Sequence, residues 1–267
     1  MYKYINNFLL TNLFDKLPKF FSRKIFKIFK IFFVPTNIDE LPNINHPSKL
    51  SYDLQVKIIG KSKEDTFKPF ISYVKLLELL KNYELKNSLI KFYDFGPSNI
   101  DLYLYLSKKI KKLEYIYFDQ SQYNEVIENI KKKNDFVNLK IDTDFKLEKK
   151  ELDFLYFGSS IQYLKNYKKI LETFFKNKPK YIIISQTPFY SSSYSTKDVV
   201  LKQINLHPTI NFAYLLNYDS FLSFMKKNKY VLEEKNFNRV IKFLNFKNFD
   251  KNYKFVDFFD LVFKCDL

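Results

Sequence analysis

The stretch YDFGPSNIDLYLYL, Tyr93 to Leu106, decides the fold. An apolar run, SLIKFYDFG, stops at Gly96, and the stretch NIDLYLYLSKKIKKL that follows has helical spacing. Ser98 or Asn99 stands where a helix N-cap belongs. The pattern is strand, tight turn, helix. In an open parallel sheet, ligands bind beyond the carboxyl ends of the strands. Asp94 and Gly96 are therefore the first candidates to line such a site. The chain has three glycines in all, and this turn uses one of them. Pro97 comes next, which removes a backbone donor and fixes φ. Ile100 adds β-branched bulk further on.

The same alternation continues on both sides. FKPFISYVKLLELLKNYEL, before the turn, has helical apolar spacing at Phe70, Val74, Leu77, Leu80 and Tyr83. After it come EYIYFDQ (strand, ending at Asp119), QYNEVIENIKKKN (helix) and VNLKIDTDF (short strand). ELDFLYFGSS, NYKKILETFFKNK and KYIIISQTPF then read as strand, helix, strand. Strands that are apolar throughout and alternate with helices predict a parallel sheet covered on both faces. The ending changes character. After the helix YDSFLSFMKKNKY, the runs YVLEEKNFN, RVIKFLNF and KFVDFFDLVFKCD read as strands without helices between them. The prediction is a Rossmann-like, doubly wound α/β sheet, mostly parallel, closed by an antiparallel C-terminal hairpin. Asp257 and Asp260 of DFFD read as the edge of a strand.

Composition narrows the partners. The 267 residues carry a net charge of +16, almost all from lysine; Arg23 and Arg239 are the two arginines. Arginine is the residue that grips phosphate and guanine bidentately. Its scarcity argues against sequence-specific nucleic-acid binding. Abundant Lys, Asn, Ile, Phe and Tyr also fit a compositional bias of the gene. One cysteine, Cys265, excludes an intrachain disulfide and fits a reducing cytoplasm. His46 and His207 each precede a proline and lie far apart, so no histidine metal site is expected.

The first residues read differently. KLPKFFSRKIFKIFKIFFVP, Lys16 to Pro35, places Lys16, Lys19, Arg23, Lys27 and Lys30 at three- or four-residue steps among Phe and Ile. This predicts a basic amphipathic helix ended by Pro35, too interrupted by charge to span a bilayer. It suits an anionic membrane surface on the cytoplasmic side, or packing on the body of the protein. PTNIDELPNINHPS reads as a linker. The expected division is 1–48, helix and linker, and 49–267, the α/β domain.

This layout is that of the class I S-adenosylmethionine (SAM) methyltransferases. Four blocks sharpen the likeness: YDFGPSNIDLYLYL, YIYFDQSQYNEV, DFLYFGSSIQYLKNYKKIL and KPKYIIISQTPF, with NFAYLLNYDSFLSFMKKNKYVLEE as a weaker fifth. Over about residues 50–267 the chain resembles a family of methyltransferases found with surface-polysaccharide biosynthesis genes. That family has a second glycine where this chain has Pro97 and a later one where it has Ile100.

The resemblance implies SAM as cofactor and a small-molecule or glycan-precursor acceptor. Asp94, Gly96 and Ser98 would meet the cofactor's amino-acid part. Asp119 and Gln120 would hold its ribose, although a helix N-terminal acid is an alternative for Asp119. Asp142 and Thr143 match the adenine-reading position by place alone. Ser159 and Gln162 would line the floor of the site. Tyr163, Gln186 and Thr187 would face the acceptor, although a core aromatic is an alternative for Tyr163. Residues 190–212 read as a substrate lid, and His207 within it is the candidate base. The altered turn predicts weak or altered SAM binding. It leaves open a non-catalytic scaffold of the same fold.

Overall fold

The computed structural model describes residues 33–36, 38–42, 71–86, 89–97, 99–119, 121–143, 151–203, 211–237, 249 and 257–266. Its elements begin with β1 (Phe33–Pro35), α1 (Ile71–Glu84), β2 (Ile90–Phe95), α2 (Asp101–Ser107), β3 (Leu113–Phe118), α3 (Ser121–Asn134) and β4 (Leu139–Asp142). There follow β5 (Phe154–Gly158), a 3-10 turn (Ile161–Tyr163), α4 (Tyr167–Phe175), β6 (Tyr181–Tyr190), β7 (Val199–Gln203) and β8 (Asn211–Asn217). The chain ends with α5 (Tyr218–Lys227), β9 (Tyr230–Phe237) and β10 (Asp257–Cys265).

Strands β4, β3, β2, β5 and β6 lie side by side in that order, all parallel. β10 runs antiparallel along the far edge of β6, and β9 pairs antiparallel with β10. This is the expected sheet. Its strands are apolar on both faces because helices cover both. Tyr93, Phe95, Leu155, Phe157, Ile182 and Ile184 pack on one face with Leu171 and Phe174 of α4 and Phe221 and Met225 of α5. Phe92, Tyr115, Tyr117, Phe154, Tyr156 and Ile183 pack on the other with α1, α2 and α3. Asp257 opens β10 and Asp260 lies within it, in a strand paired on both sides, with β6 and β9.

Two expectations are corrected. The first concerns the end of the N-terminal helix. Phe33–Pro35 is a strand, paired antiparallel with β7. Phe33 and Val34 are buried, and the Phe33 ring packs 6.1 Å from that of Phe258. Pro35 lies on a sheet edge, where a missing N–H costs little. Leu41 is buried too, its N–H donating to the Tyr214 hydroxyl at 3.3 Å. The described part of the predicted helix and linker thus adheres to the domain; Lys16–Phe32 lies outside the described residues. Among the described residues, no helix is long and apolar enough to cross a membrane.

The second correction concerns the lid. Residues 199–203 and 211–217 form antiparallel strands β7 and β8. The end of β6 outruns β5, and Phe189 and Tyr190 pair in parallel with Leu216 and Asn217 of β8. Phe33, Tyr190, Leu201, Ala213, Leu215 and Phe258 make a third apolar cluster there. The Ser-rich segment leading to β7 is tied down as well. Asp198 accepts from the Asn217 N–H at 2.8 Å and from the Tyr167 hydroxyl at 2.9 Å, and Asn217 Nδ2 donates to Ser195 O at 3.0 Å.

Candidate functional site

The crossing after β2 is built as the sequence predicts. Gly96 has φ +67°, a left-handed conformation that disfavours a side chain. A Cβ there would also lie 3.0 Å from Ser160 Cβ. Ser160 comes that close because its hydroxyl donates to Phe95 O at 2.6 Å. The turn after β2 is thus buttoned to the turn after β5. Gly96→Ala is expected to lose about 1–3 kcal/mol through strain and crowding together, read from urea denaturation.

Pro97 and Ile100 now have places. Pro97 is buried, and its carbonyl accepts a long hydrogen bond, 3.4 Å, from the Tyr117 hydroxyl. Asn99 Oδ1 accepts from the Asp101 N–H at 2.9 Å, a local turn one residue ahead of the helix; the N-cap position itself falls to Ile100, which offers no side-chain cap, so Asn99 is not the N-cap that the sequence suggests. Ile100 is 1% exposed and joins the core beneath α2. Its bulk therefore turns into the protein rather than into the space above the turn.

Asp94 is 1% exposed. The Tyr115 hydroxyl, on the adjacent strand, donates to its Oδ2. Its Oδ1 is buried with no partner. Burial pushes this carboxyl up to about 7; the Tyr115 hydrogen bond opposes the shift and the charge of Asp119 adds to it. An orphaned carboxyl oxygen beneath a glycine turn suits the ammonium group of an amino-acid-like ligand. The residues present therefore fit the amino-acid part of SAM.

Asp119 follows β3 at the same end of the sheet and is half-buried. The Tyr117 hydroxyl reaches its Oδ2 at 3.3 Å. Asp142 ends β4, nearly buried, and accepts from the Tyr93 hydroxyl at 3.0 Å. That bond ties it to the opposite face of the sheet from Asp94, since Tyr93 and Asp94 are successive residues of β2. Thr143 is exposed at the rim.

Ser159, Gln162 and Thr187 come together and use their polar groups on one another. Gln162 Nε2 donates to Ser159 O at 3.0 Å and to Ser159 Oγ at 2.9 Å, and its Oε1 accepts from Thr187 Oγ1 at 3.3 Å. Gln162 and Thr187 are buried. They brace the turns after β5 and within β6. Ser159 and Gln186 hold φ of 63° and 52°, costly backbone for non-glycine residues and a common sign of a functional rim. Tyr163, 36% exposed, donates its hydroxyl to Gln203 Oε1 of β7 at 3.1 Å, and Asn211 Nδ2 of β8 donates to the same oxygen at 3.3 Å.

Sequence reasoning missed Tyr115, Ser160, Gln203, Asn211 and Asp260 as parts of this region. Asp260 Oδ1 accepts from Ser185 Oγ at 2.6 Å and from the Gln186 N–H at 2.8 Å, filling a bulge where two residues of β6 oppose one of β10. Tyr115 was accessible in principle, because EYIYFDQ alternates and its tyrosines had to face either core or site. Ser98, Gln120 and His207 lie outside the described residues.

No protein-family model and no curated protein matches the sequence. Solved structures match by fold. Coclaurine N-methyltransferase bound to N-methylheliamine and SAH superposes with a TM-score of 0.53 at 11% identity, over 97% of this chain and 92% of that one. The N-terminal domain of EvdMO1 with SAH bound gives 0.52 at 8% identity, over 94% of this chain and 98% of that one. The same domain in the presence of SAH and D-fucose gives 0.52 at 8% identity, over 83% and 98%. At these identities the likeness establishes architecture. This chain has the Rossmann-like, mostly parallel sheet with an antiparallel ending that the SAM-dependent methyltransferases share.

Proposed function

We propose that this chain is a SAM-dependent methyltransferase acting on a small-molecule acceptor. The observation that carries the reading is the Asp94–Gly96 crossing. A left-handed glycine and a buried carboxyl with a free oxygen stand at the carboxyl end of the first strand of a methyltransferase-type sheet. The sequence resemblance adds a glycan precursor as the acceptor class to try first.

In this reading Asp94 and the Gly96 turn hold the amino-acid part of the cofactor. Asp119 accepts from the ribose hydroxyls. The bound cofactor supplies a methyl group activated on a sulfonium. The protein aligns the acceptor in line with that methyl and takes its proton. Tyr163, Gln203 and Asn211 offer neutral hydrogen-bonding groups for the acceptor, and His207 is the candidate base. Ile100, turned into the core, leaves the approach to the Gly96 turn open, which supports a working site over a degenerate one.

Calorimetric titration with SAH tests the reading. Wild-type protein should bind with Kd on the order of micromolar. Asp119→Ala should weaken binding by about tenfold or more, the worth of one charge-assisted hydrogen bond to the ribose. Absence of binding at millimolar SAH would overturn the proposal.

A further inference from the structure

Among the described residues, the groups that act on Asp94 carry no positive charge. Tyr73 of α1, Tyr115, Tyr117 and Asp119 at β3, and Tyr156 of β5 act on it or on one another, with Asp101 of α2 beside Tyr73 and Asp260 of β10 beside Tyr156. Every one of these groups is a phenol or a carboxyl. Asp94 and Tyr156 face each other in register on β2 and β5, and Asp94 Oδ1 is buried without a partner. An isolated carboxylate in such a place is expensive, and a neutral acid is not.

We propose that Asp94 carries a proton in the ligand-free protein and releases it when the cofactor's ammonium enters, so that cofactor binding is coupled to loss of one proton. This rests on the methyltransferase reading and deepens it. On binding, the O–H bond at Asp94 breaks and the proton passes to the solvent buffer. An N–H of the incoming ammonium then donates to the vacated oxygen. Tyr115 keeps its hydrogen bond to Oδ2 throughout and so fixes which oxygen faces the ligand.

The sign follows from linkage. The free carboxyl is raised to about 7, and the cation holds the bound carboxyl lower. The complex therefore binds fewer protons than the free protein, and affinity falls with falling pH. Full coupling predicts a loss of about fivefold from pH 7 to pH 6 and about ninefold more to pH 5.

SAH titrations across pH 5–8, each in two buffers of different ionisation heat, test this with a readout independent of activity. Wild-type protein should release about 0.9 proton per SAH at pH 6 and about half a proton at pH 7, for a carboxyl at about 7. Asp94→Asn keeps the shape but loses the charge that meets the ammonium, so it should bind more weakly, with a flat pH profile and no proton release. Tyr115→Phe keeps the ring on Phe92, 5.2 Å away, and removes the donor. It should move the midpoint of the profile to higher pH, which keeps the proposal testable if Asp94→Asn fails to fold. Binding without proton release, or a slope that survives Asp94→Asn, overturns the coupling and leaves the cofactor site standing. No binding at any pH overturns both.

Discussion

Phe174→Ala should cost about 3–5 kcal/mol. Phe174 is fully buried on α4. Its ring meets Tyr93 at 5.2 Å and Phe95 at 5.8 Å on β2, and Phe157 at 6.3 Å on β5. All three contacts are edge-on, the geometry that aromatic quadrupoles favour. Phe95 immediately precedes Gly96, and Phe157 immediately precedes Gly158. One helix residue therefore clamps the two strand ends from which the candidate site grows. A cavity there cannot be closed by sliding a flexible neighbour, because rigid rings surround it. Urea denaturation should show the loss as a lower midpoint with little change in slope. Near-ultraviolet circular dichroism should confirm that the folded state survives. A loss below about 1 kcal/mol would mean that α4 does not hold these strands as described.

The sheet was legible in the sequence because its strands are buried on both faces and show as unbroken apolar runs, such as Ile182–Ile184. The helices between them were legible by period. The small outer sheet was not. VVLKQ and NFAYLLN do carry apolar residues at strand spacing, but serines precede the first, and the pair reads as loop until β8 meets the overhanging end of β6. FVP was lost for the opposite reason, since it extends a Phe-rich run that already has helical period. Propensity in three residues cannot compete with burial against Phe258.

At the site, Asp94 and Gly96 were legible because a strand-to-helix turn fixes where they go. Their partners were not. Tyr115 reaches Asp94 from the next strand, and Ser160 reaches the Gly96 turn across 65 positions of chain. Gln162 and Thr187 are singled out by the sequence, but not their mutual hydrogen bond, which makes them braces between two turns. Ile100 shows the limit from the other side. Bulk at a position is visible in sequence, but the direction it points is not.

Asp260→Ala should destabilise the chain by about 2–4 kcal/mol and weaken SAH binding in the molecules that remain folded. Its Oδ1 takes hydrogen bonds from both the Ser185 hydroxyl and the Gln186 N–H. Those donors belong to the bulge of β6, where the register with β10 slips and Gln186 turns to positive φ. Hydrogen bonds to a charged acceptor contribute about 1.5–3 kcal/mol each, and a donor left buried without one carries its own penalty. Asp260 is only half-buried, so water recovers part of the loss, which sets the lower end of the range. The bulge also sets the position of Thr187, whose hydroxyl meets both Ser185 O and Gln162 Oε1. Relaxing it would loosen the brace between the turns after β5 and within β6. Asp260→Asn keeps an acceptor oxygen in place and should retain most of the stability, whereas Asp260→Leu should not. If Asn and Ala are equally damaging, the charge matters more than the acceptor. If neither matters, the bulge is held by β10 pairing alone, and Asp260 has no part in positioning the site.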